Sequence, residues 1–346
     1  MIDLRSDTKT RPTEAMRRAM AEAEVGDDVA GEDPTVNELE AVAADLLGKE
    51  AGLLVTSGTQ GNIISLLALT EPGQKLIVEQ DAHLFHYERG SVARLAGLLV
   101  HTLPGHYGAM DPEEVEAAIW PDEIHRAPTG AVTLENTHNR AGGTCLSVEH
   151  TESICQVAHR HGVPVHIDGA RIFDAAVALG VEARELVAAA DSVTFCLSKS
   201  LGAPVGAVIC GEEAFIARAR EYRKMLGGGM RQAGIIAGPG LVALEQELPR
   251  LHEDHQKARR VAEVLAELPG VRLDLATVQT NMVLFELHRE DMTAPQLCEQ
   301  LTEYEIKAKA RSEVGIRFVL HRDISFGDTE QVCVALEKVL GTGPGN

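Results

Sequence analysis

The 346-residue chain lacks the features that would place it in a membrane, in a secreted class or among structural metal proteins. No apolar run approaches the ~20 residues that a membrane-spanning helix needs, and the stretch after Met1 lacks the apolar segment of a signal peptide. Its six cysteines, at positions 145, 155, 196, 210, 298 and 333, include no close pair of the kind that binds zinc or exchanges disulfides. We therefore expect a cytoplasmic protein with reduced cysteines, no membrane partner and no bound metal.

Positive charge is also scarce. The chain has 32 Lys and Arg against 52 Asp and Glu, which gives a formal net charge of -20. Such acidity favours solubility and argues against a nucleic-acid partner. The glycine-rich signatures of nicotinamide dehydrogenases and of P-loop nucleotide sites are missing after the first predicted strand, and the 14 histidines show no metal-ligand spacing.

Short apolar runs alternate with helical patterns over most of the chain. The runs are continuous rather than alternating in polarity, which is typical of strands in a sheet covered by helices on both faces. The predicted strands are Leu53–Val55, Leu76–Val78, Leu98–Leu103, Ala131–Leu134, Val163–Ile167, Val193–Leu197 and Val205–Ile209. We therefore predict an α/β fold with a mostly parallel seven-stranded sheet and a smaller C-terminal α/β domain.

The domain boundaries follow from changes in the pattern. We expect an N-terminal arm over residues 1–14, a large domain over 15–245 and a small domain over 246–346. A long amphipathic helix, His252–Glu267, joins the two domains. Residues 1–12 are too polar to form core, and they are expected either to be mobile or to act as a hydrogen-bonding arm.

Polar residues follow four of the predicted strands. Gly58 and Thr59 open a helix after the first strand, His83 follows the second, Asp168 the fifth and Lys199 the sixth. In a doubly wound sheet, ligands bind outside the carboxyl ends of the strands, so these residues are expected at one edge. Each has a simpler interpretation when taken alone: a helix cap, a surface histidine, a helix-capping ion pair and a solvated lysine.

Together these residues match the requirements of pyridoxal 5'-phosphate. Lys199 would act as an amine nucleophile towards the cofactor, and Asp168 would hold a proton on the pyridine nitrogen. A helix N-terminus at Gly58 and Thr59 would bind the phosphate, and His83 would stack on the ring or exchange a proton.

The sequence resembles the low-specificity L-threonine aldolases. These belong to the β-eliminating lyase group within the aspartate-aminotransferase-like (fold type I) pyridoxal-phosphate enzymes. The resemblance runs nearly end to end and is carried by Leu4–Thr8 with Thr10–Pro12, Gly26–Asp28 with Gly31–Pro34, Ser57–Asn62, Leu134–Asn139, His166–Arg171, Ser198–Pro204 and Arg317–His321. Two positions depart from the family pattern: Ala30 stands where a tyrosine is often found, and Leu320 where a threonine is usual.

The resemblance implies a role for each site residue. Lys199 is implied to be the cofactor-binding lysine, Asp168 the partner of the pyridine nitrogen, and Arg171 a ligand of the ring hydroxyl or the substrate carboxylate. His83 is implied to stack on the ring near the substrate hydroxyl, with His125 as a second pocket histidine. The remaining implied ligands bind anionic groups: Gly58 and Thr59 the phosphate, Ser6 and Arg317 the substrate carboxylate, and Lys224 and Arg231 the phosphate of an adjacent subunit.

The implied reaction is a reversible retro-aldol cleavage of L-threonine, L-allo-threonine and related β-hydroxy-α-amino acids to glycine and an aldehyde. It belongs to threonine catabolism and glycine biosynthesis. A β-eliminating lyase or an amino-acid racemase on the same scaffold is the alternative, and a non-catalytic binding protein is a further one. The resemblance also implies a homotetramer, a dimer of dimers, with active sites at the subunit interface.

Overall fold

The computed structural model describes residues 1–341. In chain order its strands are β1 (Ile2–Asp3), β2 (Ala51–Val55), β3 (Lys75–Glu79), β4 (Leu99–Leu103), β5 (Gly105–His106), β6 (Ala109–Met110), β7 (Thr129–Glu135), β8 (Val165–Asp168), β9 (Ser192–Cys196), β10 (Ala207–Gly211), β11 (Val271–Arg272), β12 (Met282–Leu287), β13 (Ile306–Lys307) and β14 (Gly315–Val319).

Helices occupy most of the chain between these strands. They are α1 (Glu14–Glu22), α2 (Pro34–Leu46), α3 (Gly58–Leu69), α4 (His83–His86), α5 (Ser91–Arg94), α6 (Pro112–Ala118), α7 (Val148–Arg160), α8 (Ile172–Leu179), α9 (Ala183–Val187), α10 (Glu213–Met225), α11 (Gly234–Gln246), α12 (Leu251–Ala266), α13 (Ala294–Gln300) and α14 (Phe326–Leu340). Among residues 1–341, none of these helices has both the length and the apolarity that crossing a membrane requires.

The central sheet has seven strands in the order β2-β10-β9-β8-β7-β3-β4. Strand β10 runs antiparallel to both of its neighbours, and the other pairs are parallel. Every residue of β3, β7, β8, β9 and β10 is buried, as expected for strands with both faces covered. The prediction of a mostly parallel seven-stranded sheet is confirmed, and all seven predicted strands belong to it.

A second hydrophobic cluster lies around the three-stranded antiparallel sheet β11-β12-β14. Helices α12, α13 and α14 contribute to it, and Phe285 packs edge-on against Phe318 at its centre with 5.1 Å between ring centroids. Helix α12 also packs against α8 beside the central sheet, so this helix contacts elements of both clusters. The predicted helix His252–Glu267 corresponds to α12 within one residue at each end.

The first residues of the chain are part of this second cluster. Ile2 and Leu4 are buried there, and β1 pairs with β13 in parallel. The Val319 N–H donates to the Leu4 carbonyl at 2.9 Å, which attaches the segment to β14 as well. The expectation that residues 1–12 are too polar to form core is therefore wrong. Ile2 and Leu4 are two residues apart, so both side chains lie on one face of an extended segment, and the average polarity of the stretch conceals this.

Candidate active site

Two of the predicted site residues, Asp168 and Lys199, lie at the carboxyl ends of β8 and β9, which are adjacent in the sheet. Asp168 ends β8 and lies opposite Thr194 of β9, and Lys199 follows three residues after the end of β9. Lys199 is half-buried, and its positive charge acts on the pKa values of His83, Asp7 and Cys196. The expectation that Asp168 and Lys199 lie at one edge of the sheet is confirmed.

Asp168 is buried and held by neutral donors. The Asn62 amide donates to Asp168 Oδ2 at 2.8 Å, and the Ala170 N–H donates to Oδ1 at 3.2 Å. Within residues 1–341, no cation forms an ion pair with this carboxylate. Because a buried charge without a counter-charge is costly, the carboxylate is suited to a ligand that supplies a positive group.

A chain of hydrogen bonds fixes the amide that holds Asp168. His166 Nε2 lies 3.2 Å from Asn62 Oδ1, and His166 Nδ1 lies 2.8 Å from Ser192 Oγ. Burial lowers the pKa of His166 to about 4, so the ring is neutral near pH 7. The Nε2–H then donates to Asn62, and the Ser192 hydroxyl donates to Nδ1. This arrangement directs the Asn62 NH₂ group at Asp168.

His83 begins α4 and lies beside the same carboxylate. Its backbone N–H donates to Glu135 at 2.5 Å, and its Nδ1 lies 3.1 Å from Glu88 Oε1. Burial acts to lower the pKa of His83, but the hydrogen bond to Glu88 and the charge of Asp168 raise it by more. The pKa of the Glu88 carboxyl is raised by its burial. Since Nδ1–H donates to Glu88, Nε2 is the ring atom that can accept a proton from a ligand.

Ligand atoms of His83, Glu88 and Asp168 all lie within 4.8 Å of one another. Such a group could hold a divalent cation, because it offers one imidazole and two carboxylates. However, the Asn62 amide donates to both carboxylates, at 2.9 Å to Glu88 and 2.8 Å to Asp168. This N–H group occupies the position between the carboxylates, which favours a hydrogen-bonded network over metal coordination.

Arg171 faces the N-terminal segment rather than Asp168. Its guanidinium donates to both oxygens of Asp7, at 2.6 and 2.7 Å, and all of these groups are buried. Asn281, just before β12, also donates to Asp7 at 3.2 Å. Burial acts to raise the pKa of Asp7, but the Arg171 charge lowers it well below its usual range. Asp7 therefore joins the N-terminal segment, the central sheet and the second cluster at the site.

Two further predicted carboxylate ligands lie beside this pair. Ser6 precedes Asp7 and accepts from the Thr8 N–H at 3.2 Å. Arg317, on β14, donates to the Asn139 side chain. Burial and the charge of Arg171 lower the pKa of Arg317 to about 10, so it remains a cation near neutral pH. The charges of Arg171 and Arg317 thus act on each other across the site.

The N-terminus of α3, at the end of β2, is a candidate anion cradle. Ser57 caps the helix by accepting from the Gln60 N–H at 3.2 Å, and the first intrahelical donor is Gly61. The N–H groups of Gly58 and Thr59 therefore precede the helical hydrogen-bond pattern. A Cβ on Gly58 would lie 2.7 Å from the Cys196 sulfur, so only glycine lets the helix approach β9 this closely.

The turn Gly227–Gly229 packs against this helix end in the same chain. A Cβ on Gly228 would lie 2.5 Å from the Gln60 side chain. Lys224 and Arg231 flank this turn and are exposed, and Arg231 forms an ion pair with Asp27 at 2.8 Å. Both cations lie at the sheet edge that holds the cradle.

His125 is not brought to this group within one chain. It is exposed on the loop between α6 and β7. The adjacent Arg126 lies 5.5 Å from the Trp120 ring, which also contacts Lys75 at the start of β3. That loop therefore lies at the amino ends of the parallel strands, opposite the site.

Several residues of the site were not predicted from the sequence. These are Asp7, Asn62, Glu88 and His166. His166 and Asp168 are two residues apart on one strand, so strand periodicity predicts that both side chains lie on the same face of the sheet. That pattern could have identified His166. Asn62 and Asp7 lie inside two of the motifs quoted above, although nothing local indicates their long-range partners.

Comparison with known proteins gives consistent findings. The sequence profile of the Beta-eliminating lyase family matches residues 3–288. Low-specificity L-threonine aldolase 1 of Arabidopsis thaliana is 45% identical, over 99% of this chain and 97% of its own length. The low specificity L-threonine aldolase of Escherichia coli (strain K12) is 43% identical, over 94% and 95%. The solved structure of Leishmania major threonine aldolase aligns with a TM-score of 0.83 at 18% identity, covering 98% of this chain and 99% of that one.

Proposed function

The chain belongs to the low-specificity L-threonine aldolases of the beta-eliminating lyase family, and from this premise we propose how its residues perform the reaction. It is a pyridoxal 5'-phosphate-dependent carbon–carbon lyase that cleaves threonine. In this reaction the Cα–Cβ bond breaks, the β-hydroxyl loses its proton to become the aldehyde, and Cα gains a proton to give glycine.

The residues at the sheet edge fit the cofactor. The observation that carries the proposal is the buried Asp168 carboxylate, which receives only neutral hydrogen bonds and lies on the strand end next to Lys199. A protonated pyridine nitrogen would supply its counter-charge. The cradle at Gly58 and Thr59 would take the phosphate, and the Lys199 amine would hold the aldehyde carbon.

When bound, pyridoxal 5'-phosphate supplies a carbon that binds the substrate amine and a ring that draws electrons from the bond that breaks. The protein residues provide the remaining requirements. His83 Nε2 accepts the β-hydroxyl proton, directly or through a water, and Glu88 holds the ring in the tautomer that leaves Nε2 open. Asn62, held by His166, keeps the Asp168 carboxylate directed at the ring nitrogen.

The substrate carboxylate is proposed to bind Ser6, Arg171 and Arg317. A guanidinium presents a planar fork that matches a carboxylate, and two of them converge here. Arg171 already uses Nε and one Nη nitrogen for Asp7, so its other Nη group is the one left to face the substrate. In this arrangement Asp7 positions Arg171.

We propose a homotetramer, a dimer of dimers, with active sites at the subunit interface. Its support is the exposure of Lys224, Arg231 and His125, which leaves all three side chains open to a neighbouring subunit. We also propose a cytoplasmic location and a role in glycine biosynthesis. The proposed domains span residues 15–245 and 246–346, after an arm over residues 1–14.

The function is tested by following glycine and aldehyde release from L-threonine and from L-allo-threonine, with and without added cofactor. We expect acetaldehyde and glycine in equal amounts from at least one of the two substrates. Release of ammonia and a keto acid would indicate a β-eliminating lyase instead, and conversion to the D-amino acid without aldehyde would indicate a racemase.

Replacing Glu88 with glutamine should move the acid limb of the kcat/KM profile to lower pH. His83 must be neutral to accept a proton, so activity rises as pH increases through the pKa of His83. The hydrogen bond to Glu88 raises that pKa, and removing the carboxylate charge therefore lowers it. Glutamine still accepts from Nδ1–H, so kcat on the alkaline side should stay within about tenfold of the wild-type value.

The matched control for this prediction is Glu116→Gln. Glu116 lies 3.3 Å from His161 in an exposed pair far from the site. This variant should leave the pH profile unchanged. An acid limb that shifts equally in both variants, or in neither, would contradict the role given to Glu88.

A further inference from the structure

A large cleft opens beside His83. Its volume is about 1200 Å³, far more than threonine fills, and its lining includes His83 and Arg317. The walls come from α4, the segment after β7, and the strands around β14. Space of this size next to the proposed proton acceptor allows a substrate with a long β-substituent.

One wall of the cleft carries two guanidinium groups around a phenol. We name Tyr87, Arg140 and Arg311 the phenol–guanidinium cluster. Arg140 donates to the Tyr87 hydroxyl at 3.2 Å, and Arg311 donates to the Arg140 carbonyl at 3.3 Å. The Tyr87 and His83 rings lie 5.4 Å apart, so the phenol is next to the proposed proton acceptor.

The cluster has more positive than negative charge. Arg140 forms an ion pair with Asp81 at 2.9 Å. Among residues 1–341, Arg311 has no carboxylate partner, and the nearby Arg317 is bonded to a neutral amide. The pKa of Tyr87 agrees with this excess of positive charge. Burial acts to raise that pKa, but the hydrogen bond and charge of Arg140 and the charge of Arg311 lower it.

We propose that the phenol–guanidinium cluster is a second anion subsite, which binds a carboxylate at the far end of the substrate's β-substituent. The favoured substrates would be β-hydroxy-α-amino acids whose side chain carries a carboxylate about one aromatic ring beyond Cβ. The proposal rests on the proposed function and extends it to a substrate class.

The physical reason is the order of the polar groups along the cleft wall. Arg317 and Arg171 hold the α-carboxylate, and His83 lies at the β-hydroxyl. Tyr87 is next to His83, and its hydroxyl, with the two guanidinium groups, lies at the outer end of the phenol ring. A methyl group such as that of threonine offers no charge to the cluster, whereas a terminal carboxylate would meet a charge-assisted donor set.

The test compares two substrates that differ by one charged group, β-phenylserine and β-(4-carboxyphenyl)serine. We expect the wild-type enzyme to cleave the carboxylated substrate with the higher kcat/KM. Arg311→Gln should reduce the ratio of the two kcat/KM values about tenfold, mainly through KM, because it removes an interaction made in both ground and transition states. Arg311→Lys should retain part of the preference.

Matched controls separate this subsite from a general effect of charge. Arg272→Gln removes an exposed cation from the same cleft without touching the cluster, and it should leave the ratio unchanged. Cleavage of L-threonine by Arg311→Gln should remain within about twofold of wild type, since threonine carries no second carboxylate for Arg311 to bind. An unchanged ratio in Arg311→Gln, or an equal loss on all three substrates, would overturn the proposal.

A binding measurement keeps this test independent of catalysis. Terephthalate and benzoate are the acid analogues of the two aldehyde products, and calorimetry on the cofactor-loaded protein compares their affinities. We expect terephthalate to bind more tightly to wild type, with most of that difference lost in Arg311→Gln. Equal affinities of the wild-type protein for terephthalate and benzoate would refute the subsite, even if threonine is cleaved. An absence of threonine cleavage would refute only the proposed function.

Discussion

Replacing Lys199 with alanine is expected to reduce threonine cleavage by at least about four orders of magnitude. Lys199 is the half-buried amine beside Asp168 and His83, and no other lysine follows β8 or β9 at this sheet edge. Without this amine the protein has no nucleophile to hold the cofactor and to release product from it. Glycine release at saturating cofactor measures the loss, and the borohydride-sensitive visible absorbance of the wild-type protein should disappear.

The control is Lys309→Ala, which removes an exposed lysine from the wall of the same cleft. Its turnover should match that of wild type. Turnover retained by Lys199→Ala would defeat the assignment of this residue, because the reaction would then proceed without its amine.

Replacing Asp168 with alanine is expected to lower kcat by about three orders of magnitude while cofactor still binds, although less tightly. Asn62 and Ala170 hold this carboxylate at the strand end where the ring nitrogen is proposed to lie. Its removal would leave the ring neutral at that nitrogen and therefore a poor acceptor of electrons. Kinetics at saturating cofactor, combined with titration of cofactor binding, separate the loss of chemistry from the loss of affinity.

Asp168→Asn tests the same point with a side chain of similar shape, and it should be impaired nearly as strongly. Asp274→Asn is the comparison, because Asp274 is an exposed carboxylate of the cleft wall that accepts from Tyr107 at 2.9 Å. A full rate in Asp168→Asn would show that the negative charge is not what the reaction requires.

The main sheet was predictable because its strands are continuous apolar runs that end in polar residues. The same pattern placed Asp168, Lys199 and His83 at one edge, and the structure brings these three together. The short elements could not be predicted in this way. Helix α4 and strand β1 span four and two residues, too few for any periodicity to register.

The parts of the site that depend on distant contacts were beyond sequence reasoning. Asp7 meets Arg171 across 164 residues and Asn281 across 274. Likewise Asn62 meets Asp168 across 106 residues. Pair formation at such separations follows from the completed fold, and no local pattern in a single sequence encodes it. Spacing alone also gave no sign that the loop carrying His125 lies at the opposite edge of the sheet.

The hydrogen bonds of Asp7 join segments of the chain that are synthesised at different times. Residues 1–7 are synthesised well before the strands that they contact, because Ile2 pairs with Ile306 and Leu4 accepts from Val319. Domains generally fold from the N-terminus as the chain emerges, so the sheet carrying Arg171 is complete while its Asp7 partner still lacks a support. A chain that ends before β14 would therefore lack the contacts that support Asp7 beside Arg171, and we expect it to bind an amino-acid carboxylate poorly.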